Sequence, residues 1–129
     1  MEDLRINATS TTPLISFSTN GTMEIQGKSI PDAESNFWNT VRAWFHLYMF
    51  TPASKTTFKL HIDYLNTSSS KEVLHLLYRL NELKDRDLEA EVIWSFNAND
   101  YDMQEVGRDY EHMVKVPFSF IKIQQAVLS

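Results

Sequence analysis

The chain contains no cysteine, only three glycines and four prolines, and no long apolar run. Without a thiol there is no disulfide, no thiolate nucleophile and no thiolate-bound zinc. Three glycines are too few for a dedicated nucleotide cradle, and neither a Gly-x-Ser-x-Gly elbow nor a phosphate-binding glycine loop is present. No window approaches the roughly 18 continuous apolar residues of a membrane span, and Met1-Glu2-Asp3-Leu4-Arg5 is the wrong opening for a secretory signal. The expectation is therefore a soluble, cytoplasmic protein with no membrane role. Basic charge is short as well: 12 Lys and Arg against 17 Asp and Glu leave a net charge of -5. No basic run could neutralise a row of phosphates, which argues against nucleic acid as a partner.

What remains has the composition of a folded domain. The 129 residues are 43% hydrophobic and 22% charged, which fits one compact unit that buries about two-thirds of its unfolded surface. Residues 1–11 are polar and lack a sustained apolar period, so they read as a flexible N-terminal tail ahead of a domain over 12–129. Leu14, Ile15 and Phe17 face Met23 and Ile25 across Asn20-Gly21, which predicts a hairpin that Gly27 ends. Ile30-Pro31-Asp32 suits a helix entrance, with a helix running to about Phe50 whose buried face is Phe37, Val41, Trp44, Phe45 and Tyr48. Trp38, Leu47, Met49 and Phe50 lie partly outside that stripe, more apolar surface than one core contact needs.

Phe58, Leu60 and Ile62 then alternate with Lys59, His61 and Asp63 in a strand ending near Leu65. From Ser69 the period becomes helical, with Val73, Leu76, Leu77, Leu80 and Leu83 on one stripe. A charged turn leads to a strand over Leu88 to Phe96. Asn99 or Asp100 can cap a third helix carrying Tyr101, Met103, Val106, Tyr110 and Met113, and Phe118 to Ile123 forms a last edge strand. The order β-β-α-β-α-β-α-β has helix-sized crossovers. It predicts a single α/β (α+β) domain: a mixed β-sheet of four to five strands with an N-terminal hairpin and three packed helices.

The informative stretch is Asp63-Tyr64-Leu65-Asn66-Thr67-Ser68-Ser69-Ser70-Lys71-Glu72, a strand end running through four hydroxyl residues into a helix. Loops at the carboxyl ends of sheet strands are where such folds expose function. Ser69 and Glu72 have capping-box spacing, which gives one hydroxyl a structural duty. The hydroxyls before Ser69 would lie at the positive end of the helix dipole, where a phosphoryl group on Thr67 or Ser68 meets free N–H groups and Lys71 can approach.

Tyr64-Leu65-Asn66-Thr67-Ser68-Ser69-Ser70-Lys71 resembles the central motif of the SiaC-like bacterial regulatory phosphoproteins, an aromatic and an apolar residue followed by Asn-Thr-Ser-Ser-x-Lys. Thr12-Pro13, Gly27-Lys28-Ser29-Ile30-Pro31, Trp44, Trp94-Ser95-Phe96, Asp102-Met103, Gly107 and Pro117-Phe118-Ser119-Phe120 are similar to that family in order and spacing. The resemblance covers nearly the whole chain from Thr12. It implies a STAS-like domain of the anti-sigma-factor-antagonist type, switched by phosphorylation, with Thr67 as the acceptor; Ser68 stays the second candidate from the reading of the residues alone. It further implies a histidine-kinase-like Ser/Thr kinase, a PP2C-type phosphatase, and a diguanylate cyclase (a GGDEF protein) that the unphosphorylated form binds and promotes, linking the switch to cyclic-di-GMP and biofilm regulation. The expected contact surface is Tyr64, Leu65, Asn66, Thr67, Ser68, Ser69, Ser70 and Lys71. Two departures stand out: Ser95 replaces a frequent aromatic ahead of a less acidic Asn97-Ala98-Asn99, and Ser70 replaces a small apolar residue, adding another candidate acceptor beside Thr67.

Two other readings fit the residues. A constitutive adaptor would dock through its aromatic first helix or final strand, with Thr67 as a loop residue. A small Ser/Thr-dependent hydrolase would use Thr67 or Ser68 with His61 and Asp63. His46, His61, His75 and His112 show no ligand pair at spacing three or four. The expectation is no enzyme, no catalytic residues, no metal and no cofactor.

Overall fold

The computed structural model describes residues 1–32 and 34–124, so the end of the expected domain, residues 125–129, lies outside the described residues. Among the described residues nine elements follow one another: β1 (Leu4–Ile6), β2 (Leu14–Phe17), β3 (Thr22–Ser29), α1 (Phe37–Tyr48), β4 (Lys55–Leu65), α2 (Thr67–Asp85), β5 (Glu89–Asn97), α3 (Tyr101–Met113) and β6 (Phe118–Ile123). The six strands form one mixed sheet in sequence order. β1, β2 and β3 pair antiparallel, and β3 through β6 pair parallel across the helical crossovers.

Among the described residues, one face of the sheet is covered. Ile15, Phe17, Met23, Ile25, Phe58, Leu60, Ile62, Val92, Trp94 and Phe96 are all buried, while Glu24, Lys59, His61 and Ser95, one residue out of phase, are exposed or half-buried. Parallel neighbours joined by crossovers of one hand place their helices on the same side, which gives this two-layer arrangement. Phe17, Phe45 and Phe58 meet edge to face with centroids 5.4–6.4 Å apart, so α1 packs onto β2 and β4 through aromatic rings. At the other end of the sheet Trp94 donates its indole N–H to Met103 O at 2.9 Å and lies edge to face on Tyr110.

Four expectations change. The sheet has six strands because the segment read as a flexible tail contributes β1: Leu4 pairs with Phe17 and Ile6 with Ile15, Thr19 N donates to Asp3 Oδ1, and Trp44 Nε1 donates to Glu2 O. Three residues are too short for a periodic signal, yet Leu4 and Ile6 alternate correctly to pack on the core. β3 does not end at Gly27 but runs on to Ser29; Gly27 adopts φ +111°, a conformation open to glycine, beside a bulge in the β3–β4 ladder. The first helix starts at Phe37 rather than near Asp32, because Ser35 N turns back onto Asp32 O and the Ser35 hydroxyl accepts from Phe37 N. Consequently its buried stripe is Trp38, Val41, Phe45 and Tyr48, with Phe37 and Trp44 only half-buried. Finally, α2 begins two residues before Ser69.

Gly107 on α3 is buried against β5, and a Cβ there would lie 2.6 Å from the Trp94 indole. Gly107→Ala is expected to force α3 away from Trp94 and to cost about 1–3 kcal/mol, read as a lowered urea midpoint with Trp94 fluorescence as the probe.

Candidate functional site

The corner between β4 and α2 is set by a change of phase in β4. Gly27 pairs with Ile62, but Lys28 pairs with Tyr64, so Asp63 is an unopposed bulge residue. Before the bulge Phe58, Leu60 and Ile62 point inward; after it Leu65 does, and Tyr64 is turned out with 55% of its surface exposed. The strand then hands the chain to Asn66, whose N–H donates to Ser29 O at 2.9 Å.

Asn66 is the N-cap of α2: its side-chain oxygen accepts from Ser69 N at 2.9 Å and from Ser68 Oγ at 3.1 Å. The expected capping box of Ser69 and Glu72 is therefore absent. Ser69 is the third helical residue and is sealed in the interior, where its hydroxyl lies 2.6 Å from that of Ser29 and accepts from Trp38 Nε1 at 3.4 Å. Glu72 instead takes the guanidinium of Arg42 on α1, which also donates to Asn39 Oδ1. Ser70 is half-buried, and its carbonyl accepts from the Tyr110 phenol at 2.9 Å.

Thr67, Ser68 and Lys71 are exposed, Asn66 is half-buried, and Leu65 and Ser69 are interior. Within the expected contact stretch 64–71, Leu65 and Ser69 therefore present no exposed surface. Among the described residues no hydrogen bond holds the Thr67 hydroxyl. Ser68 opens into a polar cleft of about 570 Å³, which it lines with Asp32, Glu34, Arg42, Asn66 and Glu72 among others.

Sequence reasoning missed Ser29, Trp38 and Arg42, which reach the corner from β3 and α1. Trp38 carried a signal, an aromatic off the expected helical stripe; Arg42 carried none. Among the described residues no hydrogen bond joins the members of the hydrolase constellation. His61 Nε2 is 3.2 Å from Asn97 Oδ1, Asp63 is the bulge residue, and no hydrogen bond joins either to Thr67 among the described residues. No group of three His, Asp or Glu side chains with metal-holding geometry occurs among the described residues, and none of their helices is long and apolar enough to cross a membrane.

Fold and corner together define a small α/β domain, helices on one sheet face, that presents an unencumbered hydroxyl at the start of a long helix. SiaC of Pseudomonas aeruginosa has the same fold, with TM-score 0.86 and 24% identity over 95% of this chain and 100% of that one. A chain in the crystal structure of the diguanylate cyclase SiaD in complex with its activator SiaC, from the same organism, matches with TM-score 0.86 and 24% identity, covering 94% of this chain and 100% of that one. An uncharacterised protein of P. aeruginosa strain UCBPP-PA14 is 25% identical over 120 residues, 92% of this chain and 95% of that protein. The family model of SiaC family regulatory phosphoproteins matches residues 6–123. The chain belongs to the SiaC family of regulatory phosphoproteins, and the match reaches back into β1, ahead of the boundary expected at residue 12.

Two predictions follow from the bonding at the corner. Asn66→Ala should cost about 1 kcal/mol, and Ser69→Ala about 1–3 kcal/mol because the Ser29 hydroxyl and Trp38 N–H lose a buried partner. Thr67→Ala should stay within about 0.5 kcal/mol of the parent chain; chemical denaturation of the three variants separates cap, interior and surface. The second concerns Tyr110. Burial pushes its phenol pKa up, and the charge of Asp109 pushes in the same direction. Below about pH 10 the phenol is protonated in both folded and unfolded chains, so its contribution is complete. Above that pH the unfolded chain releases the proton first and stability falls. Tyr110→Phe should flatten the decline of the urea midpoint as the pH rises above about 10.

Proposed function

We propose that this protein is a signalling switch without catalytic activity of its own, set by reversible phosphorylation of Thr67. A Ser/Thr kinase of the histidine-kinase-like ATPase type adds the phosphate and a PP2C-type phosphatase removes it. The unphosphorylated form binds and promotes a diguanylate cyclase in the cytoplasm, and so feeds cyclic-di-GMP signalling. Family membership supports the regulatory reading, and the complex of P. aeruginosa SiaD with its activator SiaC supports a cyclase as the partner class.

The observation that carries the choice of Thr67 is the division of labour at the start of α2. Asn66 performs the capping and Ser69 the interior bonding, which leaves the exposed Thr67 hydroxyl without a structural task. A phosphoryl group there sits in the first turn of a 19-residue helix, where N–H groups not used within the helix and the dipole favour an anion. Lys71, four residues on, shares its helical face. The fold can stay intact while the surface changes by about -1.5 to -2 charges at one point. The contact surface assigned to the cyclase is the outer part of this corner: Tyr64, Asn66, Thr67, Ser68, Ser70 and Lys71.

Incubation with the cognate kinase and ATP should add one phosphate to the intact mass of the parent chain and none to Thr67→Ala; an undiminished adduct on the variant overturns the assignment. Calorimetric titration should show the phosphorylated chain losing at least tenfold in affinity for the cyclase. Thr67→Asp should lose less, since a carboxylate has less charge and fewer acceptor oxygens.

A further inference from the structure

Thr67 and Ser68 are adjacent, exposed hydroxyls, but they face different surroundings. Residues four apart on a helix are stacked neighbours, which sets Thr67 beside the cation Lys71 and Ser68 beside the anion Glu72. Ser68 and Glu72 line the polar cleft between the start of α2, residues 31, 32 and 34–36, and α1. Asp32 and Glu34 line it as well, and Arg42 is its one cationic residue among the described lining residues. That guanidinium now bridges α1 to α2 through Glu72, with 42% of the Arg42 side chain exposed and therefore room to turn.

We infer that Arg42 is the group that reads a phosphate on Ser68, and that a phosphate there has an output different from one on Thr67. The inference rests on the regulatory reading above. Transfer from ATP forms the Ser68 Oγ–P bond as the P–O bond to the departing ADP breaks, and the hydroxyl proton passes to the base of the kinase. The resulting dianion lies in a cleft that already holds three carboxylates. It repels Glu72 and takes its guanidinium, because a phosphate accepts a bidentate Arg pair in place of the carboxylate. Arg42 then leaves Glu72, and the tie between α1 and α2 beside the corner is released. A phosphate on Thr67 stays on the outer face with Lys71 and leaves that tie in place. One hydroxyl thus changes only the surface, whereas its neighbour changes how two helices are joined.

The test uses the full chain with phosphoserine incorporated at position 68 during translation, compared with the same chain carrying Arg42→Gln and with the chain phosphorylated at Thr67. Phosphorus NMR follows the second ionisation of each phosphate, ordinarily near pH 6. Pairing with Arg42 should lower it at Ser68 by about half a pH unit or more relative to the Arg42→Gln background. The Arg42 Nε–H resonance should move with phosphate at Ser68 and stay in place with phosphate at Thr67. Arg42→Lys should restore only part of the shift, since it keeps the charge and loses the bidentate geometry. Equal ionisation of the Ser68 phosphate with and without Arg42, or an equal response of Arg42 to phosphate at Thr67, overturns the proposal. No partner protein enters these measurements, so their failure is distinct from failure of the cyclase-binding assay that tests the regulatory reading.

Discussion

A hydroxyl taken out of water must be given a hydrogen-bond partner, and the start of α2 is organised by that requirement. Ser69 is completely buried and finds its partners in Ser29 at the end of β3 and Trp38 in the first turn of α1. This knot fixes the rotation of the helix about its own axis. With about 100° per residue, an inward Ser69 sends Ser68 sideways toward α1 and Thr67 to nearly the opposite side, into solvent. The availability of Thr67 is thus a consequence of the burial of Ser69, and the same rotation carries Val73, Leu76, Leu77, Leu80 and Leu83 onto the sheet.

The knot needs Ser29 and Leu65 to point inward side by side, and an uninterrupted alternation in β4 would not deliver that. Phe58, Leu60 and Ile62 are even-numbered inward residues, so unbroken period two would turn Tyr64 in and Leu65 out. The unopposed Asp63 shifts the phase by one. Leu65 then closes the core, Tyr64 goes to the surface, and Asn66 arrives with its N–H on Ser29 O and its side chain free to cap. Gly27, with its positive φ, stands at the same place in β3. Strand bulge, helix cap and buried serine are three parts of one junction.

Much of this was legible in residue order, and the division is physical. Elements of eight or more residues with a clean period, such as β5 and α2, announce themselves because burial repeats at every second residue or at every third to fourth residue. β1 escaped because three residues carry too little pattern, although Leu4 and Ile6 are correctly spaced. Serine is ambiguous in another way: Ser69 reads equally well as a surface cap or as a buried bond, and only its tertiary partners 31 and 40 residues away decide. The capping box failed for that reason. Asn66, three residues earlier, offers the shorter and stiffer cap, and Glu72 is drawn away by Arg42, a residue 30 positions distant whose role no local pattern encodes. The resemblance of the Asn66 to Lys71 motif located the corner; the distribution of tasks among its hydroxyls came only from packing.

That distribution bears on how a phosphate at such a corner can act. The molecule already carries a net charge of -5, so one further group changes its overall field by less than half. At physiological ionic strength that field decays over about 8 Å. A partner sensitive to phosphate on Thr67 must therefore seat its own surface directly on the start of α2. The exposed Tyr64, three residues before the threonine, would offer that partner an aromatic anchor, and Lys71 would supply a cation that the phosphate could occupy. Discrimination by such a partner would then come from two local losses made together: a like-charge or desolvation clash at Thr67, and the withdrawal of Lys71 from whatever acidic group it faced. Because Asn66 and Ser69 hold the helix independently, neither loss needs the domain to unfold, and the two states can differ in binding while keeping the same fold.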